Sequence, residues 1–503
     1  MTEPFNWNLA ALIGEVARAR NDATLFEMLD GRTVSYRQFT DSVERIAGAL
    51  VEAGITPGDR VTVQVEKSVE AVALFVATLR VGAVFNPLNS GYTSREAAGL
   101  IADAEPGVLV AAAAALAEHP GIAKKFSAEA DGSGTLMDAA RRARPMQTAI
   151  ARGPDDVAAL LYTSGTTGRS KGAMLTHRNL VSNARSLNEI WRITANDRLL
   201  HALPIYHVHG LFVALDTILL AGGSMLWLPK FEPKAVLAAL PKATMMMGVP
   251  TFYTRLLGES GLTKEATSHI RLFVSGSAPL LAETHREFRA RTGHAILERY
   301  GMTETGMITS NPFDGERIAG TVGYPLPEIA VRVTDDAGQA VPAGEIGNVE
   351  VRGPNVFAGY WRMPEKTVAE FRPDRFFITG DQGQLDPDGR LTLVGRAKDM
   401  IISGGLNVYP IEIEQELNAI PGVDESAVIG VPHPDFGEAV VAVIATKPGV
   451  TLPSAESILA DLGQRLAKFK LPKQLIIASE LPRNAMGKVQ KAELRRRHAG
   501  LFS

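Results

Sequence analysis

Hydrophobic and polar positions fall into repeating blocks along the first part of the chain, and each block reads as a helix followed by a short buried strand. Phe39, Val43, Ile46, Ala47, Leu50 and Val51 recur at helical spacing, with Gly54 as a left-handed terminator. Thr56-Pro57-Gly58-Asp59 then turns the chain into the apolar run 61–65. A second helix is predicted over 68–79, leading to Ala83-Val84-Phe85. A third, over 94–104, leads through Pro106-Gly107 to Val108-Leu109-Val110. Similar apolar runs stand at 225–228, 244–249 and 272–275. Helices alternating with short, wholly apolar runs predict α/β layers around parallel sheet.

Past residue 321 the texture changes to short strands between Gly/Pro turns, at 330–333, 349–351, 376–379 and 391–394. A compact α+β unit follows, with helices over 411–420 and 454–466 and strands over 425–431 and 439–446. The expected organisation is a large layered α/β domain over 1–397, its last part (321–397) β-rich, and a small α+β domain over 398–503. The alanine run 111–115 reads as a surface helix or loop.

At about 150 residues per domain, 503 residues exclude a lone binding module. With 52 basic and 55 acidic side chains there is no bulk positive field for nucleic acid or an anionic membrane, so a phosphate ligand must be gripped locally. The absence of cysteine removes disulfides, thiolate metal sites and a cysteine nucleophile. No stretch reads as a signal peptide or approaches about 18 uninterrupted apolar residues, and a cytoplasmic enzyme without a membrane partner is expected.

The chemistry concentrates in Thr163-Ser164-Gly165-Thr166-Thr167-Gly168-Arg169-Ser170-Lys171-Gly172, directly after the apolar run 157–161. Backbone N–H groups and hydroxyls in such a loop can surround phosphate oxygens. The spacing is not that of a P-loop NTPase, because Ser170 stands where a glycine is required. A flexible polar loop would explain the glycines and hydroxyls, but not their clustering with Arg169 and Lys171.

With this segment in view, the chain resembles the adenylate-forming acyl-CoA synthetases, relatives of luciferase and of nonribosomal peptide adenylation domains. The resemblance covers nearly the whole chain and rests on further motifs in family order: Tyr300-Gly301-Met302-Thr303-Glu304-Thr305, Thr379-Gly380-Asp381, Gly395-Arg396 with Lys398-Asp399, Gly404-Gly405-Leu406-Asn407-Val408-Tyr409-Pro410, and Pro482-Arg483-Asn484 with Gly487-Lys488. The segments 203–210 and 274–279 are similar to the malonyl-CoA synthetase branch.

The resemblance implies an adenylate-forming fold with a mobile C-terminal lid and a two-step reaction. A carboxylate attacks the α-phosphate of ATP to release pyrophosphate, and the thiol of coenzyme A then attacks the acyl adenylate. It assigns Mg²⁺ to Glu304 with Thr163, hard oxygen ligands suited to an ion shared with phosphates. ATP contacts fall to Thr163, Ser164, Gly165, Thr166, Thr167, Gly168 and Lys171. The adenine pocket falls to Gly276, Ser277 and Ala278 with Glu298, Arg299, Tyr300, Gly301, Met302 and Thr303, where Tyr300 can stack on the base. Asp381 and Arg396 correspond to the ribose contacts. Lys398 with Asp399 corresponds to the hinge of the small domain, and Gly404 and Gly405 to the pantetheine passage. Lys488 is the catalytic lysine, its ammonium bridging the attacking carboxylate and the α-phosphate.

For the acyl group, malonate or a related short dicarboxylate such as methylmalonate is expected, because Arg299, Arg255 and Ser277 could clamp a second carboxylate. His207 is placed along the acyl and pantetheine route. The resemblance also implies that Lys488 is a target of a lysine acetyltransferase and deacetylase, as the corresponding lysine is in some relatives, and acetylation would silence adenylation by removing its charge. A short-chain acyl-CoA synthetase, a stand-alone enzyme loading a carrier protein, a luciferase-like oxygenase and a nucleotide sensor remain as alternatives. Lys488→Ala is expected to lower adenylate formation by on the order of 10²-fold or more while sparing CoA transfer from supplied acyl adenylate. Equal loss in both half-reactions would refute the assigned role.

Overall fold

The computed structural model describes residues 5–119, 121–163, 170–403, 406–447, 449–484 and 487–502. Among these residues the strands fall into four sheets. The first runs Gly359–Tyr360, Lys171–Thr176, Val157–Thr163, Val84–Pro87, Arg60–Gln64, Val108–Ala111, Lys125–Ser127. It is parallel from Val157–Thr163 onward, and the first two strands close its edge antiparallel. The second has a parallel centre in the order Thr24–Met28, Ser224–Trp227, Arg198–His201, Met245–Gly248, Leu272–Ser275, Leu297–Met302. The apolar runs of the sequence are these strands, displaced by a residue or two at their ends.

The helices between them begin and end on local chemistry. Ser68 caps Val69–Arg80 by accepting the Ala71 N–H, and Ser35 with Gln38 forms a reciprocal cap on Tyr36–Glu52. Gly54 follows that helix at φ +80°. Val69–Arg80 is buried without interruption from Ala71 to Arg80, because it packs against Leu9–Arg20 and Tyr36–Glu52 as well as the sheet. Ala113–Ala117 is a short helix with no buried residue, whereas Ala111, the first of the alanine run expected at the surface, is the buried end of Val108–Ala111.

The third sheet is antiparallel: Ala330–Thr334, Gly347–Arg352, Phe377–Leu385, Leu391–Arg396. Its third strand extends well past the apolar stretch expected at 376–379. The polar continuation Gly380-Asp381-Gln382-Gly383-Gln384 stays paired with the last strand, and Asp381 comes to stand opposite Arg396. A turn of 3₁₀ helix, Ala397–Asp399, leads into the fourth sheet.

That sheet pairs Val423–His433 with Gly437–Thr446 and joins the hairpin Ile401–Ser403, Leu406–Val408. Gln474–Ala478, a strand the hydrophobic pattern does not single out, adds parallel to Gly437–Thr446. Alternation separates two cores: Val428, Val440, Ala442 and Ile444 pack against Ile413, Leu417, Ile458 and Leu462, whereas Ile429, Val431, Val441 and Val443 pack against Leu481 and Leu494. No helix among the described residues is long and apolar enough to cross a membrane.

One buried titratable group ties the N-terminal helix to the large domain. His177 is fully buried at the start of His177–Ile190, and its Nδ1 accepts the Leu9 N–H at 3.2 Å. Burial, and then the Arg152 charge, lower its pKa from 6.5 to about 4. The unfolded chain therefore binds the extra proton first, and stability falls as pH drops from about 6.5 toward 4, by about 3 kcal/mol from this residue. Urea unfolding of the wild type and His177→Gln at pH 7 and pH 4.5 checks this. The variant is expected to lose less stability between the two pH values.

Candidate active site

The residues singled out in the sequence gather at the carboxyl ends of the parallel strands, where open α/β sheets place their ligands. Thr163 ends one strand, and its partner across the ladder is Lys171. Ser164, Gly165, Thr166, Thr167 and Gly168 lie outside the described residues, as do Gly404 and Gly405. Lys171 Nζ is 3.0 Å from Glu370 Oε1 and 4.4 Å above the Tyr360 ring.

Glu304 sits in the turn between Leu297–Met302 and Gly306–Ser310, buried, with its backbone carbonyl accepting the Phe357 N–H. Its Oε1 is 3.0 Å from the Tyr360 hydroxyl, which also lies 2.6 Å from Glu370 Oε2. Burial raises the Glu304 pKa, against the pull of Tyr360, Lys171 and Arg396. No cluster of three or more metal-ligating His, Asp or Glu side chains exists among the described residues. The buried Glu304 carboxylate, a hard oxygen donor, fits Mg²⁺ that draws its remaining ligands from phosphate and water. It does not fit a protein-caged metal.

The long polar strand supplies the next group. Arg396 Nε is 2.6 Å from Asp381 Oδ1, and the Tyr300 hydroxyl donates to Asp381 Oδ2. Burial raises the Asp381 pKa while Arg396 and then Tyr300 oppose it. Lys488 faces the same cleft from the small domain. Its backbone N–H donates to Asn484 Oδ1 at 3.0 Å, and Gly487 turns at φ +73°, where an added Cβ would stand 4.0 Å from Thr251 Oγ1. Though the residue is open to solvent within the cleft, the surrounding protein and then the Arg396 charge lower its pKa; Asp381 and Glu304 oppose, and Arg299 adds to the lowering. One ammonium is thus within electrostatic range of Asp381, Arg396, Glu304 and Arg299. Lys398 is exposed in the Ala397–Asp399 turn, and Asp399 pairs with Arg495 at 2.8 Å.

A group of buried polar side chains stands within electrostatic range of Lys488. Arg299 is buried, and its guanidinium lies against Gly276 so closely that a Cβ there would overlap it. Arg299 Nε and Nη2 are buried without a partner among the described residues, and burial lowers its pKa to about 9. Ser277, at φ +75°, places its Oγ 3.2 Å from His209 Nδ1. The remaining nitrogen of His209, the Nε2 of His207 and the Oγ of Ser275 are likewise buried and unpartnered. Burial, and then Lys488, lower the His207 pKa to about 3, so its ring is neutral.

Two expectations change. Arg255 is not in this group: Tyr253 turns inward to donate to the Val274 carbonyl at 2.6 Å, so a residue two positions on faces outward. Arg255 is exposed, its guanidinium 5.0 Å from the Phe231 ring centroid. Glu298 is buried, with Oε1 accepting the Gly320 N–H at 3.3 Å, and burial raises its pKa to about 8; its carboxyl holds a loop. Gly301 meets the Gly306 carbonyl across the hairpin, leaving no room for a Cβ. Gly276, Ser277, Ala278, Met302 and Thr303 are brought to the same strand ends.

Other residues of the site are not evident in the motifs. His209–Leu215 is a π-helix, and it carries His209 toward Ser277. His201 Nε2 is 2.9 Å from the Gly210 carbonyl, and its Nδ1 is 2.9 Å from Lys67 Nζ. The same ammonium reaches the His201 and Leu228 carbonyls at 2.9 and 2.6 Å and stands 4.1 Å from the Trp227 ring centroid. Lys67 thus fixes the His201 tautomer, and His201 fixes the turn bearing His207 and His209. Tyr360 and Glu370 also escape notice in sequence. A buried, unpaired polar side chain beside a motif was the one available signal, and it exists only in three dimensions.

Residues 14–361 match the model of the AMP-binding enzyme family, and residues 412–488 match its C-terminal domain. The chain belongs to the AMP-binding enzyme family. A solved structure of ATP-bound MatB from Rhodopseudomonas palustris is 53% identical, with TM-score 0.97, covering 99% of this chain and all of the other. A malonate–CoA ligase of Arabidopsis thaliana is 35% identical over 93% of this chain and 85% of its own length. A feruloyl-CoA synthase of an Amycolatopsis species is 37% identical over 93% of this chain and 94% of its own. This AMP-binding enzyme is an AMP-forming acyl-CoA ligase, an acid–thiol ligase that takes ATP and coenzyme A as substrates.

Proposed function

We propose that the acyl substrate is malonate: malonate, ATP and CoA give malonyl-CoA, AMP and pyrophosphate through malonyl adenylate. The carrying observation is the Arg299 guanidinium, buried with two nitrogens unpartnered among the described residues. A buried cation without a counter-ion is costly, and a ligand carboxylate removes that cost. The second carboxylate of malonate suits Arg299 with Ser277 and His209, leaving the reacting carboxylate toward Lys488. An aromatic acid such as ferulate offers the guanidinium no second charge. The malonate–CoA ligase and MatB relatives support the same reading.

In this proposal Lys488 neutralises the charge that builds as the acid oxygen approaches the α-phosphorus. Asp381 receives the ribose hydroxyls, and Arg396 keeps its carboxylate ionised. Glu304 and Thr163 would hold Mg²⁺, which would supply charge neutralisation for the phosphates. His207, neutral and half-buried, borders the path to the reacting carboxyl. The chain divides at 397/398, and the small domain turns about Lys398 to clear Lys488 for the thiol.

Initial rates of AMP formation with malonate, methylmalonate, acetate, butyrate and ferulate test the substrate. Malonate is expected to exceed acetate by on the order of 10²-fold or more in kcat/KM. Arg299→Ala should reduce malonate turnover by a similar factor and acetate turnover by less than about fivefold. Gly276→Ala, which pushes the guanidinium aside, should raise KM for malonate. Equal use of acetate and malonate by the wild type overturns the dicarboxylate reading; ADP in place of AMP overturns the adenylate route.

A further inference from the structure

We infer that Glu370 is a displaceable counter-ion for Lys171, a built-in competitor of the phosphate groups that sets how tightly this lysine holds ATP and pyrophosphate. The inference rests on the reading of Lys171 as a phosphate contact.

The two side chains meet at 3.0 Å, with 11% and 18% of their surfaces accessible. The lysine ammonium is 3.4 Å from the Tyr360 hydroxyl, and that hydroxyl is 3.0 Å from Glu304 Oε1. Lys171 therefore stands one hydroxyl away from the carboxylate assigned to Mg²⁺, on the strand that follows the glycine-rich segment. A phosphate gripped there and the Glu370 carboxylate are alternative acceptors for the same ammonium.

Glu370 is the fixed member of the pair. Its Oε2 is 2.6 Å from the Tyr360 hydroxyl, its Oε1 also pairs with Lys366 at 2.7 Å, and its backbone carbonyl accepts the Ile378 N–H. Tyr360 is itself held by strand pairing to Ala173 and by Thr367, whose Oγ1 accepts its N–H at 2.9 Å. The lysine, on a four-carbon stem, is the partner free to move. A polyphosphate carries more charge than a carboxylate and takes the ammonium, but its net affinity is reduced by the pair that is lost. The consequence falls on the product. Pyrophosphate must leave before the thiol step, and a waiting carboxylate recaptures the lysine as it goes.

Two variants act on this circuit with opposite sign. Glu370→Gln removes the competitor and keeps the hydrogen-bonding shape. Lys366→Met, at a side chain 42% accessible, removes the second cation on Glu370 Oε1 and so strengthens the hold of Glu370 on Lys171. Calorimetric titration of the full-length protein with magnesium pyrophosphate, and separately with Mg·ATP, reads both. E370Q is expected to bind pyrophosphate about three- to tenfold more tightly and K366M about twofold more weakly. The gain from E370Q should vanish in E370Q/K171M.

Unchanged or weaker pyrophosphate binding by folded E370Q, as a purely structural ion pair would give, overturns the inference. If E370Q does not fold, unchanged or tighter binding by K366M does the same. A K171M protein with wild-type affinity for pyrophosphate and ATP removes Lys171 from phosphate binding and overturns the underlying reading together with the inference.

Discussion

The cleft is organised around cations held near one another with too few carboxylates to balance them. Arg299 is buried with two nitrogens unpartnered among the described residues, Arg396 is matched by Asp381, and Lys488 is subject to both arginines. Such an arrangement is unfavourable in a protein alone and becomes favourable when a polyanion enters. An acid–thiol ligase needs that imbalance, because its first step brings a carboxylate against a phosphate that is already negative. Beside Gly276, where Arg299 is buried, the proposed malonate would supply an additional carboxylate. On that proposal the identity of the acyl group follows from the same electrostatics as the adenylation chemistry.

Holding like charges in place requires a stiff frame, and the frame here is the set of parallel strand ends. Ser275 and Glu298 are paired across the ladder, so Gly276 and Arg299, the residues that follow them, are brought together by backbone register. Asp381 and Arg396 are opposed by register in the same way. Lys67 and His201 do this work from beneath, since a buried ammonium with its donors on His201 Nδ1 and two carbonyls cannot shift without leaving those acceptors unpaired. The His207–Gly210 turn is thereby tied to the sheet that carries Arg299.

Much of this frame was legible along the chain. Short apolar runs marked the strands, and helical spacing from Phe39 to Val51 marked the helix Tyr36–Glu52. The misses share a physical cause. The strand Phe377–Leu385 continues through polar residues, buried at Asp381 to Gly383, because cross-strand pairing sustains it where the apolar pattern stops. The π-helix at His209 has no periodic signature of its own, and the apolar run of Gln474–Ala478 is too short for periodicity to tell strand from helix. In the site, motif residues could be named, but Arg255 shares a short helix with Tyr253 and only packing decides which of the two faces inward. Lys67, His201, Tyr360 and Glu370 act through partners distant in sequence or through backbone carbonyls. Neither leaves a local pattern.

A site built to favour polyanions has a difficulty of its own, since the product of its first step is one. The cations that attract ATP also attract pyrophosphate, and tighter binding of both would slow the passage to thioester without helping adenylation. Selective relief requires an acceptor that competes for the phosphate-side lysine and leaves the cations around the α-phosphate untouched. Glu370 meets that condition by position. It contacts Lys171, Lys366 and Tyr360, while Asp381 is the carboxylate that engages Arg396. On the proposed roles, the phosphate-side lysine and the ribose-side arginine are balanced by different carboxylates on different segments, so the grip on the departing pyrophosphate would be set independently of the grip on the adenylate.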